Sequence, residues 1–450
     1  MFIGSFSSSH HDQQAEDQED PISSSDLQFI PANPSQPPLP NAIHMPQLLI
    51  RCAELISRSD FSAAHRLISI LSTNSSLYGD STERLVHQFA KALSLRLNNF
   101  SSSSGASTAG SVAINTSASL ASTSAFVTRA ATSIISSNID INADTESVSD
   151  SDDSLQSCYL SLNQITPFIR FSHLTANQAI LEAIDEGRQA IHILDFDIMH
   201  GLQWPPLMQA LAERSYPPPM LRITATGNDP NILHRTGDRL SKFAQTLGLR
   251  FQFHPLLIVS NDINCIIDPL ALALHPDEAL AINCVLYLHK LLKEDSRGLR
   301  LFLHKIKALN PKVVTIAEQE ANHNHPVFLQ RLVEALDHYT SVFDSLEATL
   351  PPNSRERLAV EQVWFGREIV DIVAAEGVNR RERHQRYEAW EVMLRSSGFS
   401  NVPLSPFALS QAKLLLRLHY PSEGYKLQIR NDSLFLGWQN RALFSVSSWH

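Results

Sequence analysis

The chain has 450 residues, 43% of them hydrophobic, with a formal net charge of -10. No run of eighteen apolar residues occurs, so no membrane-spanning helix is expected, and residues 1–12 lack the basic start and apolar stretch of a secretory signal. Cys52, Cys158, Cys265 and Cys284 form no CxxC pair and are expected to be reduced thiols of a cytosolic or nuclear protein.

The acidity is unevenly spread. Residues 1–44 hold six acidic residues and no Lys or Arg, and residues 99–158 hold six acidic residues and one Arg. The rest of the chain is close to neutral, so whole-chain charge excludes little, and any contact with nucleic acid must come from a local basic face.

Residues 1–44 are rich in Ser, Asp, Gln and Pro. They cannot bury enough apolar surface to offset ordering entropy, and a disordered tail is expected. From 45 to 98 the pattern is helical. Leu48, Leu49, Cys52, Leu55 and Ile56 repeat at three and four residues. Asp60 is placed to cap a second helix, and a third carries Leu85, Phe89, Leu93 and Leu97. Residues 99–154 form a low-complexity Ser/Thr-rich insertion. A helix pair then runs over 155–187, broken at Pro167.

From 188 to 450 the character changes. Apolar runs at 191–196, 221–226, 251–259, 279–288 and 313–317 read as strands. Helices alternate with them, which implies a parallel sheet with right-handed crossovers. Helices follow at about 326–347, 355–376, 380–396 and 405–418. Three short strands close the chain at 425–430, 434–438 and 442–446, with turns at Asn431-Asp432 and Gln439-Asn440. The expected fold is α/β: a methyltransferase-like, Rossmann-like, mainly parallel core under an α-helical cap, with antiparallel strands at the C-terminus.

Such sheets bind ligands beyond the C-terminal ends of their strands. A nucleotide or S-adenosylmethionine site needs a glycine-rich turn after the first strand, because the backbone must approach the ligand closely. Here that turn has one glycine, Gly201, beside the bulky Phe196 and Met199. The second strand ends in Thr226-Gly227-Asn228, with Asp229 displaced into the loop instead of a ribose-holding acid at the strand end. No cofactor is expected. His192 and Asp195 point to opposite faces of a strand, so they make no acid/base pair; Asp195 is expected to brace the loop or cap the next helix. His323 and His325 have no Cys or acid at ligand spacing, which favours a polar loop over a metal site. No catalytic motif is found. Arg380, Arg381, Arg383 and Arg386 form the densest basic cluster. It reads either as a solvated helix face paired with Glu382 and Glu388, or as a phosphate-contacting or nuclear-import patch.

Ile191-His192-Ile193-Leu194-Asp195 through Gly201-Leu202-Gln203-Trp204-Pro205 resembles the VHIID motif of GRAS proteins, with Pro167 and Asn177 at its upstream positions. Stretches 45–98 and 155–187 resemble the family's two leucine-rich regions. Pro326, Tyr339, Phe343 and Arg367-Glu368 resemble its PFYRE motif. Four residues separate Arg383 from Glu388, seven separate Trp390 from Gly398, and ten separate Trp438 from Trp449. Those spacings resemble the SAW motif. Residues 345–357 and 408–424 are similar to the Lateral suppressor group in particular. The resemblance spans 45–450. It implies a GRAS domain of methyltransferase-like fold that is not an enzyme. It further implies a nuclear transcriptional regulator acting in axillary meristem and branch initiation. Its implied partners are other GRAS proteins or DNA-binding transcription factors, as homo- or heterodimers, together with promoter DNA. The leucine-rich cap, through Leu85, Phe89 and Leu93, is the implied partner surface. The competing reading is an S-adenosylmethionine-dependent methyltransferase.

Overall fold

The computed structural model of the protein describes residues 45–104, 149–185, 187–214, 217–258, 267–268 and 272–450. The tail 1–44, most of the insertion 99–154, residue 259 of the third strand, and Cys265 lie outside the described residues. The chain first forms α1 (Met45–Ser57), α2 (Phe61–Thr73) and α3 (Ser81–Ser104). Asp60 caps α2 as its position predicted, accepting from the Ala63 backbone N–H at 3.1 Å. Then come α4 (Ser149–Ile165) and α5 (Phe168–Ala183).

The core runs β1 (Ala190–Asp195), α6 (Trp204–Arg214), β2 (Met220–Gly227), α7 (Pro230–Thr246), β3 (Phe251–Leu257) and β4 (Ala279–Val285). It continues as α8 (Leu288–Leu291), α9 (Arg297–Ala308), β5 (Val313–Gln319) and α10 (Phe328–Thr349). Next are α11 (Arg355–Ala359), a π-helical turn (Val360–Phe365) and α12 (Gly366–Ala374), then α13 (Tyr387–Ser396), β6 (Asn401–Val402) and α14 (Pro406–His419). The chain closes with β7 (Tyr425–Arg430), β8 (Ser433–Trp438) and β9 (Arg441–Trp449).

The sheet order is β3-β2-β1-β4-β5-β9-β8-β7, with β6 beside β9. The first five strands are parallel and the last three are antiparallel. This is the Rossmann-like, methyltransferase-like arrangement expected. β1, β4 and β5 are buried along nearly their whole length, as central parallel strands must be. Alternation sorts their side chains. Ile191 and Ile193 join Trp204, Leu207 and Leu211 of α6 and Leu240 of α7 in one cluster. Leu194 joins Phe302 of α9, Trp390 of α13 and Trp449 of β9 in another. A third and larger cluster joins α1 to α3 with α10 and α12.

Local signals explain the joints. Asp229 caps α7 by accepting from Asn231 N and Ile232 N, and Pro230 fills the position where no N–H is needed. Asn431 and Asp432 have φ of 46° and 60°, the left-handed pair that a two-residue hairpin between β7 and β8 demands.

Three elements differ from expectation. Residues 380–386 are not helical, and α13 begins only at Tyr387. The 155–187 pair is split between layers: α5 lies against β4, β5 and β9 rather than in the cap. The two-residue β6 was too short to give a sequence signal.

Candidate functional site

A Rossmann-like sheet offers its ligand position beyond the C-terminal ends of its strands, here the cleft beyond β1 and β4. Its floor is a buried polar network. Asp195, at the end of β1, accepts from the Trp204 indole N–H and from Asn283 Nδ2, both at 2.8 Å. Asn283 and Gln203 exchange amide hydrogen bonds in both directions at 3.0 Å. Gln203 Nε2 also donates to Asn177 Oδ1 at 3.1 Å, and Asn177 Nδ2 donates to the Gln203 carbonyl at 2.7 Å. Thr315 of β5 donates to Asn283 Oδ1 at 2.9 Å. Asn177, Asp195 and Gln203, chosen from the sequence, are thus brought together, and their chemistry is to lock α5, β1, α6, β4 and β5. Burial pushes the Asp195 carboxyl up to about 7, against the pull of its Asn283 and Trp204 bonds. Sequence reasoning missed Asn283 and Thr315. The available signal was a single Asn inside the apolar run Ala279–Val285.

The ligand position itself is filled by protein. Thr226, at the end of β2, takes the backbone of the loop after β1: its Oγ1 accepts from Asp197 N at 2.9 Å and its carbonyl from Ile198 N at 3.1 Å. Asp197 and Met199 sit at φ of 66° and 49°, so the loop folds back over the strand ends. Lys290 pairs with Asp197. Tyr159 of α4 covers the loop, with its ring 5.8 Å from His200 and 5.6 Å from Trp364 of the π-helical turn. The cavity left between Tyr159, His173, Asp195, Asn283, Lys290 and Trp364 is about 50 Å³. Ligand pockets typically measure roughly 300–1,000 Å³, so a nucleoside cofactor has no room here. His192 lies on the other side of the strand from this network, bonded to Thr224 Oγ1 at 2.8 Å and to Arg222 Nη2 at 3.1 Å.

The remaining sequence-selected residues fall into other places. Leu85, Phe89 and Leu93 are at most 1% exposed and belong to the core between α3, α10 and α12. They are not a free partner surface; the leucine-rich face is consumed by the chain's own later helices. The basic cluster also dissolves. Arg380 and Arg383 are buried, donating to the His323 carbonyl at 2.7 Å, and to Asn324 Oδ1 at 3.1 Å and the Gly377 carbonyl at 2.7 Å. Burial lowers the Arg380 guanidinium to about 10. Arg386 is held bidentately by Glu334 at 2.7 and 2.9 Å. Of the four only Arg381 and Arg386 are exposed, and neither Glu382 nor Glu388 is the partner: Glu388 faces Arg430 at 3.8 Å.

Glu368 is buried and accepts from the Tyr339 hydroxyl at 2.7 Å, whereas its neighbour Arg367 is exposed, as is Pro326. Trp390, Trp438 and Trp449 are all buried, and Gly398, at φ 88°, closes the C-terminus of α13. His323 lies in the loop between β5 and α10 as expected, but it is fully buried there, with Nδ1 2.9 Å from His384 Nδ1.

Glu320, beside this region, fixes the start of α13. It accepts from Tyr387 N at 3.0 Å and Ser445 Oγ at 2.6 Å, and burial raises it to about 7. The fold therefore holds a proton that the unfolded chain releases near pH 4.3, and stability should fall as pH rises from about 4.5 to 7. Glu320→Gln should abolish that loss. We expect the variant to match the wild type at about pH 4 and exceed it by on the order of 3 kcal/mol at about pH 8. Urea unfolding at both values checks this; a difference independent of pH would refute it.

Comparison with known proteins agrees with this architecture. The GRAS domain family model matches residues 45–450. The chain is 55% identical over 412 residues to Scarecrow-like protein 18 of Arabidopsis thaliana, covering 90% of each chain. It is 43% identical over 428 residues to Protein MONOCULM 1 of Oryza sativa subsp. japonica, covering 89% of this chain and 87% of that protein. The crystal structure of SCL7 in Oryza sativa superposes with a TM-score of 0.70 at 33% identity, over 90% of this chain and 99% of that one. The chain belongs to the GRAS domain family of plant developmental transcriptional regulators, in its Lateral suppressor group.

Proposed function

We propose that the protein works in the nucleus and reaches promoters through protein partners, other GRAS proteins or DNA-binding transcription factors, without methyl transfer and without reading DNA itself. The observation that carries this reading is the fate of the basic cluster: Arg380 and Arg383 are internal and Arg386 is paired with Glu334, so of the four only Arg381 is exposed outside an ion pair. Phosphate contacts need cations free at the surface. The 50 Å³ remnant of the cleft supports a regulator rather than a methyltransferase. The similarity of 345–357 and 408–424 to the Lateral suppressor group supports a role in axillary meristem and branch initiation. With Leu85, Phe89 and Leu93 in the core, the apolar surface left for a partner includes Phe407, Leu414 and Leu418 of α14, exposed at 59%, 45% and 61%. Their spacing sets them on one stripe of the helix.

The test is selection from a random duplex DNA pool by the purified full chain alone. No enriched motif is expected. Enrichment of a defined motif that weakens steeply with salt would overturn the partner-dependent reading. A fluorescent fusion should accumulate in nuclei, and its exclusion would favour a scaffold that never meets chromatin.

A further inference from the structure

Three segments that are distant in sequence meet behind the β4 and β5 strand ends. His289 comes from α8, Glu318 from β5, and Glu382 and His384 from the extended segment 380–386. Glu382 Oε2 lies 3.4 Å from His289 Nε2 and 3.5 Å from His384 Nε2, and the three residues each bring one ligand atom within 4.8 Å of the others. Ligand atoms about 2.0–2.1 Å from a tetrahedral zinc ion lie roughly 3.3–3.4 Å from one another. The two edges measured on Glu382 therefore already have the length that a shared ion imposes.

The surrounding groups are those that a metal site needs. His289 Nδ1 donates to Glu318 Oε2 at 2.7 Å, which fixes its tautomer and turns the Nε2 lone pair toward Glu382. His384 Nδ1 is engaged by His323 Nδ1 at 2.9 Å, so its Nε2 is likewise the atom left for the shared point. That Nε2 makes no hydrogen bond although its side chain is fully buried. Buried polar atoms are seldom left so, because an unmet group costs about 1–3 kcal/mol. A protonated His289 between Glu318 and Glu382 would satisfy the two carboxylates, but it would leave His384 Nε2 without a partner. A divalent cation answers both needs, since it balances two carboxylates and accepts both imidazole lone pairs.

We propose that His289, Glu382 and His384 bind a divalent transition-metal ion, zinc by the chemistry of two imidazoles and one carboxylate. Glu318 and His323 orient the two imidazoles. Glu382, whose side chain is 19% exposed, gives the ion its route from solvent and leaves the fourth position to water. The ion has a structural task. It pins segment 380–386, which joins the cap helix α12 to α13, onto the ends of β4 and β5. Asp371 of α12 holds the same segment from the other side, accepting from Arg381 N and Glu382 N at 2.8 Å.

The test uses the full chain, stripped with a chelator and desalted after exposure to zinc sulfate. Elemental analysis should find one equivalent of zinc, and the thermal midpoint should rise by several degrees over the stripped sample. Cobalt(II) should give a visible d–d spectrum that one equivalent of zinc abolishes; this readout needs no variant. Glu382→Gln, at a partly exposed position, and His384→Gln should each lose the equivalent, while the exposed His304→Gln should keep it. Failure of the wild-type chain to retain zinc, or equal retention by Glu382→Gln, would overturn the proposal; in the latter case surface histidines hold the metal.

Discussion

Arg84→Leu should cost about 3–5 kcal/mol of stability, because it strands a buried carboxylate. Arg84 of α3 and Glu361 of the π-helical turn are 2% and 1% exposed. The guanidinium grips Glu361 through Nε at 2.8 Å and Nη2 at 3.1 Å, and Nη1 reaches the Gly79 carbonyl at 2.6 Å and Glu347 at 2.7 Å. With Arg84 gone, the nearest cation to Glu361 is Arg357 at 4.0 Å. Burial already pushes the Glu361 carboxyl up despite Arg84, which shows how poorly the site tolerates a lone charge. The double variant Arg84→Leu with Glu361→Leu should recover most of the loss, since a buried ion pair is commonly replaceable by apolar residues. Urea midpoints of the wild type, both single variants and the double variant measure this cycle. A single variant as stable as the wild type, or a double variant no better than the single, would sink the account. The same pair holds the turn that places Trp364 over the cleft.

The second large effect is expected at Trp449→Ala, again about 3–5 kcal/mol. Trp449 is fully buried and lies opposite Val314 of β5 and Asn401 of β6. Its indole N–H donates to Ser447 Oγ at 2.8 Å. Alanine would leave a cavity among Phe302, Trp390 and Phe435. Trp449→Phe should lose less, because a ring still fills most of that space. Equal urea midpoints for Trp449→Ala and the wild type would show that the residue is not the anchor its burial implies.

How much of this was legible depends on the range of the cause. The strands from β1 to β5 show in sequence as apolar runs, because a strand buried on both faces needs little else. The apolar face of α3 was equally plain, but not what covers it: α10 and α12 lie more than 200 residues downstream, and no local pattern distinguishes a partner from the chain itself. Segment 380–386 has the Arg, Glu and Gln content of a good helix. Tertiary bonds override that preference, since Arg380 and Arg383 reach the carbonyls of His323 and Gly377 only from extended backbone. In the cleft, Asn177, Asp195 and Gln203 were found through the family motif, whereas Asn283 and Thr315 sat in apolar runs that read only as strand. That His323 lies in a loop was legible, but its burial was not, because its partners His338, Tyr339 and His384 are fifteen or more positions away.

β9 follows the other described strands in the chain, yet it is not at the margin of the sheet. β9 lies between β5 and β8 and also pairs with β6. During synthesis the parallel half can form early, but its β5 edge stays unpaired until residues 441–449 have emerged. Until that moment β7 and β8 are a hairpin with nothing to join. Completion of the sheet therefore waits for β9, and a nascent chain that still lacks it presents an open β5 edge to chaperones and proteases. A stop codon before residue 441 should therefore abolish the fold rather than trim it.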